Sequence, residues 1–152
     1  MQNLRILNNK EVRKILKEIE EHFGSKIKLD YAFLQNNEGK IFLISRKFGD
    51  ISPKKLRINS LGLYFGKVEK SGIRLSIEGS QLVKATKNVI ELDEKQLRQW
   101  MLGKDIEVGK HDIEGYVVVK HKNDSFGCGA YKEGKLLNFV PKSRRLTSKI
   151  IE

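Results

Sequence analysis

Covalent chemistry has few candidate residues in this chain. Cys128 is the single cysteine and stands between Gly127 and Gly129. A nucleophilic thiol needs a neighbouring base or cation that lowers its pKa, and the nearest histidine in sequence is His121. The flanking glycines fit better a small side chain turned into a β core. His111, His121 and Cys128 match no closed zinc spacing and lack a fourth ligand. His22, beside Phe23, reads as a helix-end cap or surface residue. No GxGxxG follows a strand, and no phosphate-loop lysine motif occurs. Gly62-Leu63-Tyr64-Phe65-Gly66 lies inside a strand-like run, where spaced glycines mark a bulge or a close strand crossing. The Asp93-Glu94 pair opens a helix, where the helix dipole alone accounts for it. No metal, cofactor or catalytic residue is therefore expected.

Gripping a polyanion is chemistry that the composition does support. The 152 residues hold 30 Lys and Arg against 19 Asp and Glu, a net charge of +11. The charge is uneven. Residues 40–74 carry net +7 and residues 120–152 net +5, while residues 1–39 are near balance and 75–119 slightly negative. If the two basic segments fold onto one face, they form a groove able to neutralise phosphates and release counterions. Late in the chain stand Arg98, Lys104, Lys120, Lys122, Lys132, Lys135, Lys142, Arg144 and Arg145, with Tyr131 and Phe139 among them. An aromatic amid cations can stack on a base; strand alternation can equally bury it. In the earlier basic segment, Arg46, Lys47, Lys54, Lys55 and Arg57 could extend the same surface. One cysteine rules out a disulfide within the chain and fits a reducing compartment. No leader-like segment and no long apolar span is visible, so a cytoplasmic location is expected.

The elements that must position these side chains follow from periodicity. Val12, Ile15, Leu16, Ile19 and Phe23 predict a helix over 9–23, opened by Asn8 or Asn9 and closed by Gly24. Strand runs at 29–34 and 40–44 flank an Asn36-Asn37-Glu38-Gly39 turn, a hairpin signal. Ser52-Pro53 suggests a short helix. Two strands follow, 62–68 and 72–77, and residues 79–87 are expected to connect to a second unit. There, 89–92 predicts a strand. Asp93 with Gln96 predicts a capping box before a helix through Leu97, Trp100 and Met101 that ends at Gly103. Residues 106–108 predict another strand. Gly115 to Leu146 predicts a β meander ending in Lys142, Arg144 and Arg145. About 70 residues make a small independent core, so the two units are expected to pack together.

The second unit resembles a PUA domain, a small RNA-binding pseudo-barrel. The likeness rests on Val89-Ile90-Glu91-Leu92-Asp93, the helix through Leu97 and Trp100 to Gly103, and Gly115-Tyr116-Val117-Val118-Val119 followed by Phe126-Gly127-Cys128-Gly129. The stretch 134–145, with Asn138, Pro141 and Arg144 in an Asn-x-x-Pro-x-x-Arg pattern, resembles the PUA-like domain that ends RNA cytosine-C5 methyltransferases of the Nop/Sun/Fmu type and their stand-alone ribosome biogenesis relatives. A leading α/β unit before a PUA domain is also similar to the Nip-type large-subunit biogenesis factors, in architecture alone. The resemblance implies an α+β chain: a helix-plus-sheet unit over 1–80 and a PUA-like β pseudo-barrel over 81–152. It implies RNA binding in a groove beside the early helix and the final strand. Carried onto this chain, the groove has Arg98 and Lys104 on one side and Lys132, Lys135, Asn138, Lys142, Arg144 and Arg145 on the other, with Lys47, Lys54, Lys55 and Arg57 as a possible extension. The chain departs from the family at the helix start. PUA domains commonly carry a glycine–alanine pair there, and Asp93-Glu94-Lys95-Gln96 stands in its place. No cofactor-binding methyltransferase domain is recognisable. The expectation is a non-catalytic RNA-binding protein of rRNA and ribosome biogenesis or tRNA modification, with structured rRNA or tRNA as partner. The alternative is a module docking an RNA methyltransferase or ribosome assembly factor in trans.

Overall fold

The computed structural model describes residues 3–27, 30–45 and 62–146. The expected helix near Ser52 and the residues Arg46, Lys47, Lys54, Lys55 and Arg57 lie outside the described residues. Helix α1 runs Asn9–Phe23, as its apolar period predicts. Asn8 caps it in a full capping box with Glu11, and Gly24 ends it in the left-handed region at φ 71°. Its buried stripe is Ile15, Ile19 and Phe23. The stripe packs on an antiparallel sheet of β1 (Arg5–Ile6), β2 (Tyr31–Gln35), β3 (Lys40–Ser45), β4 (Leu63–Glu69) and β5 (Gly72–Leu75), in that order. One face of this sheet gives Phe33, Ile41, Leu43, Phe65, Ile73 and Leu75 to a core shared with α1.

The predicted strand 72–77 stops at Leu75 because Ser76 caps a helix. Its Oγ accepts from the Gly79 N–H at 2.9 Å and donates to the Tyr64 carbonyl at 2.5 Å. Helix α2 (Ile77–Val83) therefore occupies the stretch expected to be a connection, running through residues 80 and 81. Period reasoning passed over it because a seven-residue helix with glycine and serine at buried positions shows no apolar stripe. Those small residues let it lie against backbone: a Cβ on Gly79 would sit 2.0 Å from the Phe65 carbonyl oxygen. Ser80 Oγ accepts from the Gly127 N–H at 2.9 Å and donates to the Ile77 carbonyl at 2.7 Å.

The second sheet is ordered β6 (Val89–Glu91), β8 (Gly115–His121), β9 (Asp124–Lys132), β10 (Lys135–Leu137), β7 (Ile106–Glu107); only the β6–β8 pairing is parallel. Helix α3 (Glu94–Met101) opens with the predicted Asp93–Gln96 capping box. The expected barrel is not closed. Strands β6 and β7 are the two edges and share no ladder; at three and two residues they are too short to seal a seam. Trp100 of α3, fully buried, packs instead with Leu92, Ile106, Leu136 and Val140.

The two sheets share a core, as their small size requires. Tyr116, Val118 and Cys128 belong to the same cluster as Ile15, Phe23, Phe33 and Phe65. Residues 84–88 wrap the end of α1, whose last carbonyls have no helical partner. The Thr86 and Lys87 N–H groups donate to the Phe23 carbonyl, and Asn88 Nδ2 donates to that of His22 at 2.6 Å. Among the described residues no helix is long and apolar enough to cross a membrane.

Candidate nucleic-acid interface

The Asn-x-x-Pro-x-x-Arg tail is tied down before it can meet any ligand. Asn138 Nδ2 donates to the Trp100 carbonyl at 2.8 Å and the Lys104 carbonyl at 2.9 Å, its Oδ1 accepts from the Val140 N–H at 2.7 Å, and its own N–H donates to Asp105 Oδ1 at 2.9 Å. Pro141, with φ −61°, sets the start of a single 3-10 turn, Lys142–Arg144. Arg145 lies along Gly103, where a Cβ would meet its Nε at 2.4 Å, and its Nε–H donates to the Val140 carbonyl at 3.0 Å. The Leu146 N–H donates to the Met101 carbonyl at 2.8 Å. Asn138 thus bridges the end of α3 and the tail, and Arg145 stays exposed beside Gly103, on the side where the resemblance puts the RNA groove.

The remaining sequence-selected cations are scattered. Arg98 pairs with Glu94 one helical turn back, at 2.8 Å. Lys104 is exposed behind the Asn138 clamp. Lys132 and Lys135 face each other across the β9–β10 turn, with Glu107 on the other side of Lys135. Lys142 is exposed on the 3-10 turn, and Arg144 pairs with Glu78 in the first turn of α2.

Open space lies on the opposite side of the tail. A cleft of about 630 Å3 separates the first sheet from residues 139–144. Its rim carries Lys40, Tyr64, Arg74, Phe139 and Arg144, and its floor Leu75, Ile77, Trp100, Phe126 and Val140. Arg74 is the hub. Its guanidinium stands 4.4 Å from the centre of the Phe139 ring, and its charge acts on the Tyr64 phenol. Burial pushes the Tyr64 pKa up, and Arg74 offsets part of that rise, so Tyr64 is a neutral phenol at pH 7. Phe139 is 37% exposed, rare among the described residues for a large apolar side chain, and its ring meets that of Tyr116 edge to face, 6.2 Å between ring centres.

The ladder extends this rim. Lys40 pairs with Lys67, and Lys67 with Arg74, so three cations stand side by side across β3, β4 and β5. Lys40 and Lys67 have surface partners in Glu38 at 3.6 Å and Glu69 at 3.3 Å. The sequence pointed at this region only through the net charge of residues 40–74. Arg74 and Tyr64 were missed because which strands pair, and in which register, is not written locally. The bulge between Ile41 and Phe42 in the β3–β4 ladder shifts the parity again. Of the residues selected from the sequence, Arg144 lines the cleft and Phe139 stands at its rim.

The candidates for covalent chemistry are spent on structure. Cys128 is 2% exposed, and burial pushes its thiol up to about 12, leaving almost no thiolate at neutral pH. Each histidine ring bonds a carbonyl oxygen: His22 to Tyr116, His111 to Val108 and His121 to Leu92. A carbonyl only accepts, so that ring nitrogen carries hydrogen in each case. Tyr131 holds the 109–111 loop, its hydroxyl accepting from the His111 N–H and donating to the Gly109 carbonyl. Among the described residues no three His, Cys, Asp or Glu cluster as metal ligands.

An α+β chain whose second sheet follows residue 87 agrees with the PUA resemblance in class, although the expected barrel stays open. Residues 87–146 match the family model described as the methyltransferase RsmF PUA domain. Over 135 residues, 88% of the chain, the sequence is 30% identical to ribosomal RNA small subunit methyltransferase F of Aeromonas salmonicida, of which it covers 28%. It is 27% identical over 135 residues to the protein of that name from Aeromonas hydrophila, and 26% identical over 90 residues to that from Vibrio cholerae, covering 28% and 19% of them. The resemblance to the PUA-like domain of Nop/Sun/Fmu-type enzymes is thus shown. In the Aeromonas proteins the likeness extends well beyond the PUA match, into the first sheet. The chain spans less than a third of the length of these relatives.

Proposed function

We propose that this chain is a non-catalytic RNA-binding protein, with ribosomal RNA as its partner in ribosome biogenesis or rRNA modification. One observation carries the reading: cations and aromatics of the first sheet and of the tail meet at one cleft, with Arg74 of β5 laid on Phe139 of the tail. Such a site combines phosphate neutralisation with a ring able to stack. The name shared by the relatives makes small-subunit rRNA the first RNA to try. The same reading keeps residues 1–80 and 81–152 as two sequence units, and places the protein in the cytoplasm. The tail arginines, Lys132, Lys135 and the lysines of residues 47–57 serve as outer phosphate contacts in it, and tRNA is the second RNA to try.

Docking onto a protein partner is the rival. Among the described residues the large hydrophobics exposed beyond a third are Ile6 and Phe139, which is little apolar surface for a stable protein interface. Crosslinking in cells followed by sequencing of the bound RNA decides between them. Reads concentrated in rRNA support the proposal. Absence of crosslinked RNA, with a protein partner retained after nuclease treatment, overturns it.

A further inference from the structure

We propose that the cleft takes an unpaired stretch of RNA, with a base stacked at Phe139 and the flanking phosphates along the Lys40–Lys67–Arg74 row. The inference rests on the RNA-binding reading and adds to it the class of RNA and the subsite.

Three features separate this site from one built for a duplex. The first is shape. A-form RNA is read largely across its wide minor groove, through phosphates and 2′-hydroxyls, which calls for cations on an open surface. Here the cations rim a concavity with an apolar floor of Leu75, Ile77, Trp100, Phe126 and Val140. Such a floor rewards a base taken out of the stack, and extrusion is least costly when the base is already unpaired.

The second is the aromatic. Phe139 stays partly exposed although the buried core is adjacent. Its ring has two neighbours, the Arg74 guanidinium at 4.4 Å and the Tyr116 ring at 6.2 Å between centres. Arg74 and Tyr64 line the same cleft. A base can therefore stack on a planar group that is already oriented, and either the ring or the guanidinium offers such a plane.

The third is the cation row. Like charges directly opposite on neighbouring strands are unfavourable; the exposed Glu38 offsets little of this, and the half-buried Glu69 answers one cation of the three. A line of phosphates relieves all three positions at once. Glu78 is the carboxylate on the cleft wall, and its pairing with Arg144 offsets its charge.

The test uses the full chain and a fluorescently labelled, unstructured 12-nucleotide RNA, alone and annealed to its complement. Anisotropy titration is expected to show at least about tenfold tighter binding of the single strand. Phe139→Ala should lower single-strand affinity about tenfold, within the range of one lost base–aromatic stack, and leave duplex affinity unchanged; Phe139→Trp should restore it. Lys67→Ala, on the sheet surface, should reduce the salt slope of single-strand binding by about one contact. Equal or tighter duplex binding, or a Phe139→Ala protein that binds the single strand normally, overturns the inference and leaves the RNA-binding reading standing. No salt-dependent binding of either RNA overturns both.

Discussion

Asn138, Arg144 and Arg145 lie within one short tail and do different work. Asn138 uses both amide hydrogens and its oxygen inside the protein. Asn138→Ala removes three hydrogen bonds and strands partly buried carbonyls, a loss of about 2–3 kcal/mol. In a chain of this size that lowers Tm by roughly 5–10 °C, which a thermal melt reads directly. Arg144→Ala should change Tm by at most a few degrees, because an ion pair with sides 46% and 31% exposed is worth about 0–1 kcal/mol after solvent screening. Arg145→Ala should cost more, since its stem covers Gly103 and its Nε–H satisfies Val140. Equal melts for the two arginine variants would refute this division of roles. Cys128 gives a pH signature. Its folded pKa is raised from 9.0 to about 12. The neutral thiol's contribution is therefore complete below pH 9 and is lost as pH rises through 9 towards 12, at up to about 1.4 kcal/mol per pH unit. Denaturant unfolding at pH 8 and pH 10.5 should show a smaller alkaline loss in Cys128→Ala than in the parent protein.

At the scale of elements, α2 is the joint. It touches β4 and β5 of the first sheet and β9 of the second, and it does so through Gly79 and Ser80. Gly79→Ala sets a methyl against the Phe65 carbonyl at a distance no real contact allows. The helix must shift, at a cost of about 1–3 kcal/mol or more. Ser80→Ala leaves the buried Gly127 N–H without its acceptor, for about 1–3 kcal/mol. Urea midpoints should fall for both, whereas alanine at exposed Gln81, which loses a single long bond to the Ser125 carbonyl at 3.3 Å, should cost no more than about 1 kcal/mol. Small residues in contact are invisible to a reading by apolar period, so this joint was not legible in the sequence. By contrast, α1, α3 and the three meander strands were, because each is long enough for its period, its cap or its turn residues to show.

For the whole molecule, the shared core of Tyr116, Val118 and Cys128 with Ile15, Phe23 and Phe65 implies one cooperative unit. Trp100 is the lone tryptophan and reports on the second sheet, while far-ultraviolet circular dichroism reports on both. The two transitions in urea should coincide; an earlier dichroism transition would mean that the first sheet unfolds by itself. RNA binding should be strongly salt-dependent. If the cation row and Arg144 contact three or four phosphates of a single strand, log K against log salt should have a slope of roughly −2 to −3. A flat plot would remove electrostatics from the site.

The sequence by itself determined the chemistry that this protein has to offer. Its net charge of +11, lone glycine-flanked cysteine and unclustered histidines favour a polyanion over a nucleophile or a metal. Local signals also sufficed for the capped helices, the hairpins and the Asn-x-x-Pro-x-x-Arg tail. Only the tertiary structure decided which cations act together. Arg144, chosen from the sequence, reached the cleft, whereas Asn138 holds the tail and Arg145, still exposed, bonds the Val140 carbonyl. Arg74, Lys67 and Lys40 became neighbours through strand register. That register is fixed by long-range pairing and one bulge, and no residue encodes it alone. Side-chain charge is a property of composition, while the direction in which each charge points is a property of the packed fold.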